Sequence, residues 1–204
     1  MQIDFIFSIV ILIFSVVIHE VSHGYAAYMQ GDNTAKFAGR LTLNPLKHLE
    51  WFGSFILPIM SYFFGGFIIG WAKPVPFNLY NLRNQRWGEA IVAIAGPLSN
   101  VCVALFFGLS IRLGIFNQFG DAFVYIASTI VFINLVLATF NMIPIPPLDG
   151  SKILFSILPY NMQNVRIFFE RNGLFILIFF VFFLWQFVIP LVSFEFRLIT
   201  GLVP

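Results

Sequence analysis

Apolar residues run along this chain in five long blocks, Ile3 to Met29, Phe52 to Trp71, Ala90 to Gly114, Ala122 to Ile143 and Leu174 to Val192, parted by shorter polar connections. Each block could cross a bilayer, since about 20 helical residues span the hydrocarbon. The second differs from the rest. Pro58, the Gly65-Gly66 pair and Gly70 interrupt it, and broken backbone at membrane depth survives only where protein or water shields it. It reads as a re-entrant hairpin. In the polar connections, Leu41-Thr-Leu and Pro74-Val-Pro-Phe carry strand and extended-chain signals. Short edge strands could lie there and pair with an unfolded peptide.

The basic residues test this topology, because Lys and Arg collect on the cytoplasmic side in short loops. If all five blocks span, the eleven basic residues split six against five. If the second block dips in and returns, Lys36, Arg40, Lys47, Lys73, Arg83, Arg86, Lys152, Arg166 and Arg171 share one side, leaving Arg112 and Arg197 opposite. That bias predicts an all-α polytopic membrane protein with about four spanning helices plus a re-entrant segment. Both termini lie outside, the basic loops in the cytoplasm, and residues 1–204 form a single domain.

Composition agrees with a bilayer as solvent: of 204 residues, 59% are hydrophobic and only 10% charged, too apolar for one water-soluble core. The net charge of +2 is dispersed, with no basic run dense enough to grip a phosphate backbone, which argues against nucleic acid as a partner. Cys102 is the only cysteine, so a cysteine metal cluster is excluded and packing is its expected role. The Met1-Gln-Ile-Asp start lacks the positive region and cleavage site of a signal peptide, so the first block is expected to stay in the mature chain.

One polar cluster stands inside the first apolar block. His19-Glu-Val-Ser-His23 is an H-E-x-x-H sequence; residues four apart share a helical face, so both imidazoles can reach one zinc ion while Glu20 points toward its water. Three titratable groups within five residues cost a few kcal/mol each at membrane depth. The bland alternative, hydrogen bonds to neighbouring helices, must explain the glutamate as well as the spacing.

A catalytic zinc site needs a third protein ligand and one open position. Asp4, Asp32, His48, Glu50, Glu89 and Asp121 sit at helix ends or in the connections, whereas Asp149 follows Asn141-Met-Ile-Pro-Ile-Pro-Pro-Leu148, where three prolines break a long apolar run. Depth supports pairing it with the histidines: from Ile3 to His19 a helix rises about 24 Å, and from Ala122 to Asn141 about 28 Å. Both enter from the same side. The alternative for Asp149 is a helix cap.

These pieces, with Gly96-Pro-Leu-Ser-Asn100 and Gly70-Trp-Ala-Lys-Pro-Val-Pro, resemble in their order the site-2 protease family of intramembrane zinc metallopeptidases, in the short form without a PDZ domain. The resemblance implies zinc on His19, His23 and Asp149, Glu20 as the catalytic glutamate, and Asn141 and Asn100 as cleft residues that hold substrate. An amide could also steady an oxyanion; alternatively Asn100 satisfies backbone freed by Pro97, and Asn141 caps its broken helix. The expected chemistry is hydrolysis of peptide bonds in transmembrane protein substrates, regulated intramembrane proteolysis, at a site toward the cytoplasmic side of the membrane, the cell membrane were the source bacterial. A membrane zinc transporter and a catalytically inactive membrane-binding scaffold are the alternatives.

Overall fold

In chain order the helices are α1 (Gln2–Met29), a short α2 (Thr34–Phe37), α3 (Gly88–Arg112), α4 (Asp121–Asn141), α5 (Asp149–Ile157), α6 (Gln163–Phe183) and α7 (Trp185–Thr200). This is a computed structural model that describes residues 2–48, 73–159, 162–183 and 185–203, with isolated positions 50, 56, 60 and 63. The Phe52 to Trp71 block, expected to re-enter, lies outside the described residues except at those isolated positions.

Among the described residues three helices are long and apolar enough to cross a membrane: α1 over Ile6–Met29, α3 and α4. They correspond to the first, third and fourth apolar blocks. The fifth block is divided between α6 and α7, which meet at a bend of 69°; counted as one broken span, the pair makes a fourth. Pro190, inside α7, cannot donate to the Gln186 carbonyl one turn back, which weakens the helix just beyond the bend. The two halves also differ in burial. In α6 only Gly173 is buried, whereas α7 buries Val188, Val192, Phe196 and Thr200. The block therefore sends its second half into the core.

Helices gain little hydrophobic energy by associating in a bilayer, where lipid is as apolar as they are; close van der Waals packing and polar contacts must hold them instead. The sequence of α3 supplies both. Gly88, Val92, Gly96, Asn100, Ala104 and Gly108 recur every four residues and are all buried, a face of small side chains with one amide in it. Helices α1, α4, α5 and α7 pack around α3. At its far end Ala104 and Ile111 join Phe116, Ala127, Val131, Leu135, Val188, Val192 and Phe196 in the main apolar cluster. Cys102 lies on the exposed outer face of α3, not in the packing role expected of it.

The two ends of this bundle carry different chain. Arg83 N–H donates to the Gln30 carbonyl and Lys73 N–H to the His48 carbonyl, each at 2.8 Å, so the 30–48 and 73–88 connections meet at the C-terminal end of α1. Asp32 ties them together. It is fully buried, accepting from the Thr34 N–H and hydroxyl, the Asn81 amide and the Asn78 N–H. Burial opposes its charge, but these hydrogen bonds outweigh that and hold the carboxyl below the usual carboxylate range. At the other end the Arg112 guanidinium donates to the Leu198 carbonyl. No strand forms among the described residues. Pro74 and Pro76 leave Val75 as the one N–H donor of the three, too few for a ladder.

Candidate active site

The site is built where α1, α3 and the start of α5 converge. On α1, Ser15, His19, His23 and Ala27 form a buried stripe at four-residue spacing, the periodicity of one helical face. His19 and His23 are 6% and 7% exposed and Asp149 5%, so none of the three polar groups is left in lipid. His23 Nε2 lies 3.0 Å from His19 Nε2. Asp149 Oδ2 lies 3.1 Å from His19 Nε2 and 3.2 Å from His23 Nε2.

That triangle has the size of a zinc site. Ligand atoms about 2.0–2.1 Å from one ion at tetrahedral angles stand roughly 3.3 Å apart. The donor set of two neutral imidazoles and a carboxylate also suits zinc, with a fourth position left over. Among the described residues no second group of His, Cys, Asp and Glu side chains converges in this way.

The other nitrogen of each imidazole is committed. His23 Nδ1 donates to the Val92 carbonyl at 2.7 Å; a carbonyl can only accept, so in the neutral ring Nε2 is the nitrogen left to bind an ion. His19 Nδ1 lies 2.6 Å from Asn100 Oδ1. Asp149 uses Oδ2 toward the histidines and Oδ1 toward Lys152, whose ammonium lies 3.1 Å away.

Local backbone explains how these groups arrive. After Asn141, α4 gives way to an irregular turn through Pro144, Pro146 and Pro147, and α5 begins at Asp149 with Leu148 at its N-cap and no side-chain cap bond. The carboxyl is therefore spent on the histidines and Lys152 rather than on capping. Gly150 is required by closeness: a Cβ there would stand 2.5 Å from the Met142 carbonyl carbon and 2.6 Å from the Ile143 oxygen. Gly96 does the same for the ligand triangle, since its Cβ would lie 2.6 Å from His19 Nε2 and closer still to His23 Nε2.

Glu20 is half-buried beside the triangle and accepts the Val75 N–H at 2.9 Å through Oε2. The Pro74–Phe77 stretch thus lies against the site as a strap, not a strand. Asn100 is fully buried; its Oδ1 faces His19, and its amide donates to Asn134 Oδ1 at 2.8 Å and the Ser15 carbonyl at 3.3 Å. None of these partners is backbone freed by Pro97, and all of its hydrogen bonds point into the bundle. Asn141 donates to the Leu137 carbonyl of its own helix at 2.9 Å and is half-buried. His48, 6 residues beyond Thr42, bonds that residue's carbonyl and stands apart from the triangle. Val75, Lys152, Ser15 and Asn134 escaped the sequence reading. Only Asn134 left a sign there, as a lone amide in the middle of an apolar helix.

Comparison with known proteins agrees with this geometry. The model of peptidase family M50 matches residues 7–129 and 117–184. YwhC of Bacillus subtilis, named as a candidate zinc metalloprotease, is 36% identical over 192 residues, 91% of this chain and 82% of that protein. Rip2 of Mycolicibacterium smegmatis, named likewise, is 33% identical over 144 residues, 69% of this chain and 52% of its own length. The zinc metalloprotease MJ0392 of Methanocaldococcus jannaschii is 30% identical over 152 residues, 73% of this chain but 33% of that protein. The chain thus spans about half or less of the latter two relatives. No solved structure matches it.

Proposed function

The chain belongs to peptidase family M50 and is a zinc metalloprotease of the membrane; from that premise we propose that it hydrolyses peptide bonds in the transmembrane segments of other proteins. The observation that carries this reading is the position of the three donor atoms: they meet inside a helix bundle, with His19 ten residues, about 15 Å of helix rise, from the end of α1. Residues 1–204 act as one domain in this reading.

His19, His23 and Asp149 would hold the ion. Zinc, when bound, supplies Lewis acidity toward water and toward a peptide carbonyl. Glu20 acts as the general base, taking a proton from the attacking water and passing it to the leaving amine nitrogen. The Val75 N–H steadies this base by occupying Oε2, which leaves Oε1 for the proton. Asn141, at the end of α4 beside the proline turn, is positioned to meet the substrate backbone if it exchanges its bond to Leu137. Because helical hydrogen bonds shield the scissile carbonyl and amide, the substrate must unwind locally before attack.

Cleavage of a single-span model substrate in liposomes tests this. Zinc-loaded protein should cut within or at the edge of the span, and a chelator should stop it. Helix-breaking Gly substitutions near the cut should raise turnover severalfold. Hydrolysis of soluble peptides with no cleavage of the embedded span would overturn the membrane-substrate reading. Zinc flux without cleavage would favour a carrier, and zinc binding without either a scaffold.

We further propose that the α1 C-terminal end faces the cytoplasm, where such a site would act in regulated proteolysis. The 30–48 and 73–88 connections meet there, and they carry six of the nine basic residues assigned to that side. With Cys102 replaced by Ser, Arg83→Cys should resist an impermeant thiol reagent on intact cells and react once the membrane is opened. Labelling of intact cells would reverse the orientation.

A further inference from the structure

Behind His19 lies a buried polar chain that the hydrolytic mechanism does not use. Asn134 is fully buried in the middle of α4, Asn100 fully buried on α3, and Ser15 4% exposed on α1, one turn before His19. An amide group in a spanning helix is costly unless its hydrogen bonds are satisfied, and here every bond has a direction. The Ile130 carbonyl, which can only accept, lies 2.9 Å from Asn134 Nδ2. The amide end of Asn134 must therefore face Ile130, where it also donates to Ser15 Oγ at 2.9 Å.

This leaves Asn134 Oδ1 as an acceptor 2.8 Å from Asn100, so Asn100 must turn its Nδ2 toward it. The Ser15 carbonyl, 3.3 Å from the same nitrogen, makes the same demand independently. With Nδ2 so placed, Asn100 presents Oδ1 to His19 at 2.6 Å, and an oxygen acceptor requires the proton on His19 Nδ1. Nε2 is then the nitrogen that faces Asp149 and His23, the one that a bound ion would take in the neutral ring.

We infer that Asn134 and Ser15 are positioning residues that act through Asn100 to hold the Nδ1 proton of His19, so that Nε2 is the nitrogen aimed at the ion position. The inference rests on the reading of His19 as a zinc ligand. It assigns the mid-helix asparagine of α4 a role in metal affinity rather than in helix association alone. Neither side chain is hydrogen-bonded to His19, His23 or Asp149. Their effect passes through the orientation of one carboxamide, which two backbone carbonyls dictate from different helices.

The experiment compares wild type, Asn134→Leu, Ser15→Ala, Val131→Ala and His19→Ala as full chains in nanodiscs. Zinc affinity is measured by competition with a chromophoric chelator, and the His19 tautomer by ¹⁵N chemical shifts of the zinc-loaded protein. In wild type His19 should carry its proton on Nδ1. Asn134→Leu should mix the tautomers and weaken zinc binding roughly 10–100-fold, the usual size of an outer-shell effect. Val131→Ala, which opens the same helix interface without touching the chain of amides, should leave both readouts at wild-type values. An equal loss in Val131→Ala would reduce the effect to loosened packing and overturn the inference. So would Asn134→Leu with an unchanged tautomer and affinity within about twofold of wild type. If Asn134→Leu does not fold, Ser15→Ala carries the test, with the same tautomer shift and a smaller loss expected, and no change refuting it. His19→Ala separates the two levels: full zinc affinity there would remove His19 from the ligand set, whereas its loss there beside an unaffected Asn134→Leu would sink only the positioning role.

Discussion

Glu20→Gln should lower turnover by roughly 10²–10⁴-fold, the usual contribution of a general base, while the protein still binds one zinc. The substitution is informative because it keeps so much in place. Gln retains an oxygen that can accept the Val75 N–H, which now meets Glu20 Oε2, so the strap keeps its anchor. The ligand triangle of His19, His23 and Asp149 is untouched. What the amide cannot do is take a proton from water. Single-turnover cleavage of an embedded substrate, with zinc content measured on the same sample, gives both readouts. Activity above about a tenth of wild type would be too much for a missing general base and would remove Glu20 from that role.

Gly96→Ala is the other change expected to abolish function, and by a different route. Its added methyl would occupy the space in front of both imidazoles, 2.6 Å from His19 Nε2. Alanine is a better helix former than glycine, so α3 itself should not suffer. We expect zinc affinity to fall on the order of 100-fold, as when a ligand shell is displaced, with cleavage lost in parallel and the thermal transition of the zinc-free protein near wild type. Chelator competition and a melting curve in the same detergent check this. Stoichiometric tight zinc with normal cleavage would mean that the histidines or α3 can shift aside, and that the close fit is not functional. Taken with Glu20→Gln, the pair separates loss of the ion from loss of the proton carrier.

These two substitutions differ in how far the sequence foretold them. Glu20 was legible because its neighbours are local: in an α-helix a four-residue spacing puts His19 and His23 on one face whatever surrounds it. The three long helices were legible for a similar reason, since an uninterrupted apolar run in a bilayer must satisfy its own backbone. Asp149 was legible through its prolines, which end α4 and force a turn at the depth of the histidines. The family resemblance pointed to the same four residues.

Gly96 was visible as a residue but not as a constraint, because its closeness to the imidazoles depends on how α3 crosses α1. The bend between α6 and α7 and the strap in place of edge strands likewise depend on what those segments pack against. Asn100 is the clearest case. The sequence allowed it to hold substrate or to satisfy backbone freed by Pro97, and a carboxamide can do either. Only the helix packing brought His19, 81 positions earlier, and Asn134, 34 later, to its two ends. The sequence alone thus determined the membrane class, the long helices and the face of α1 that carries both histidines, all properties of periodicity within one segment. The tertiary structure alone decided which groups meet across segments and which partner each imidazole nitrogen faces, because those follow from distances between helices that no local pattern encodes.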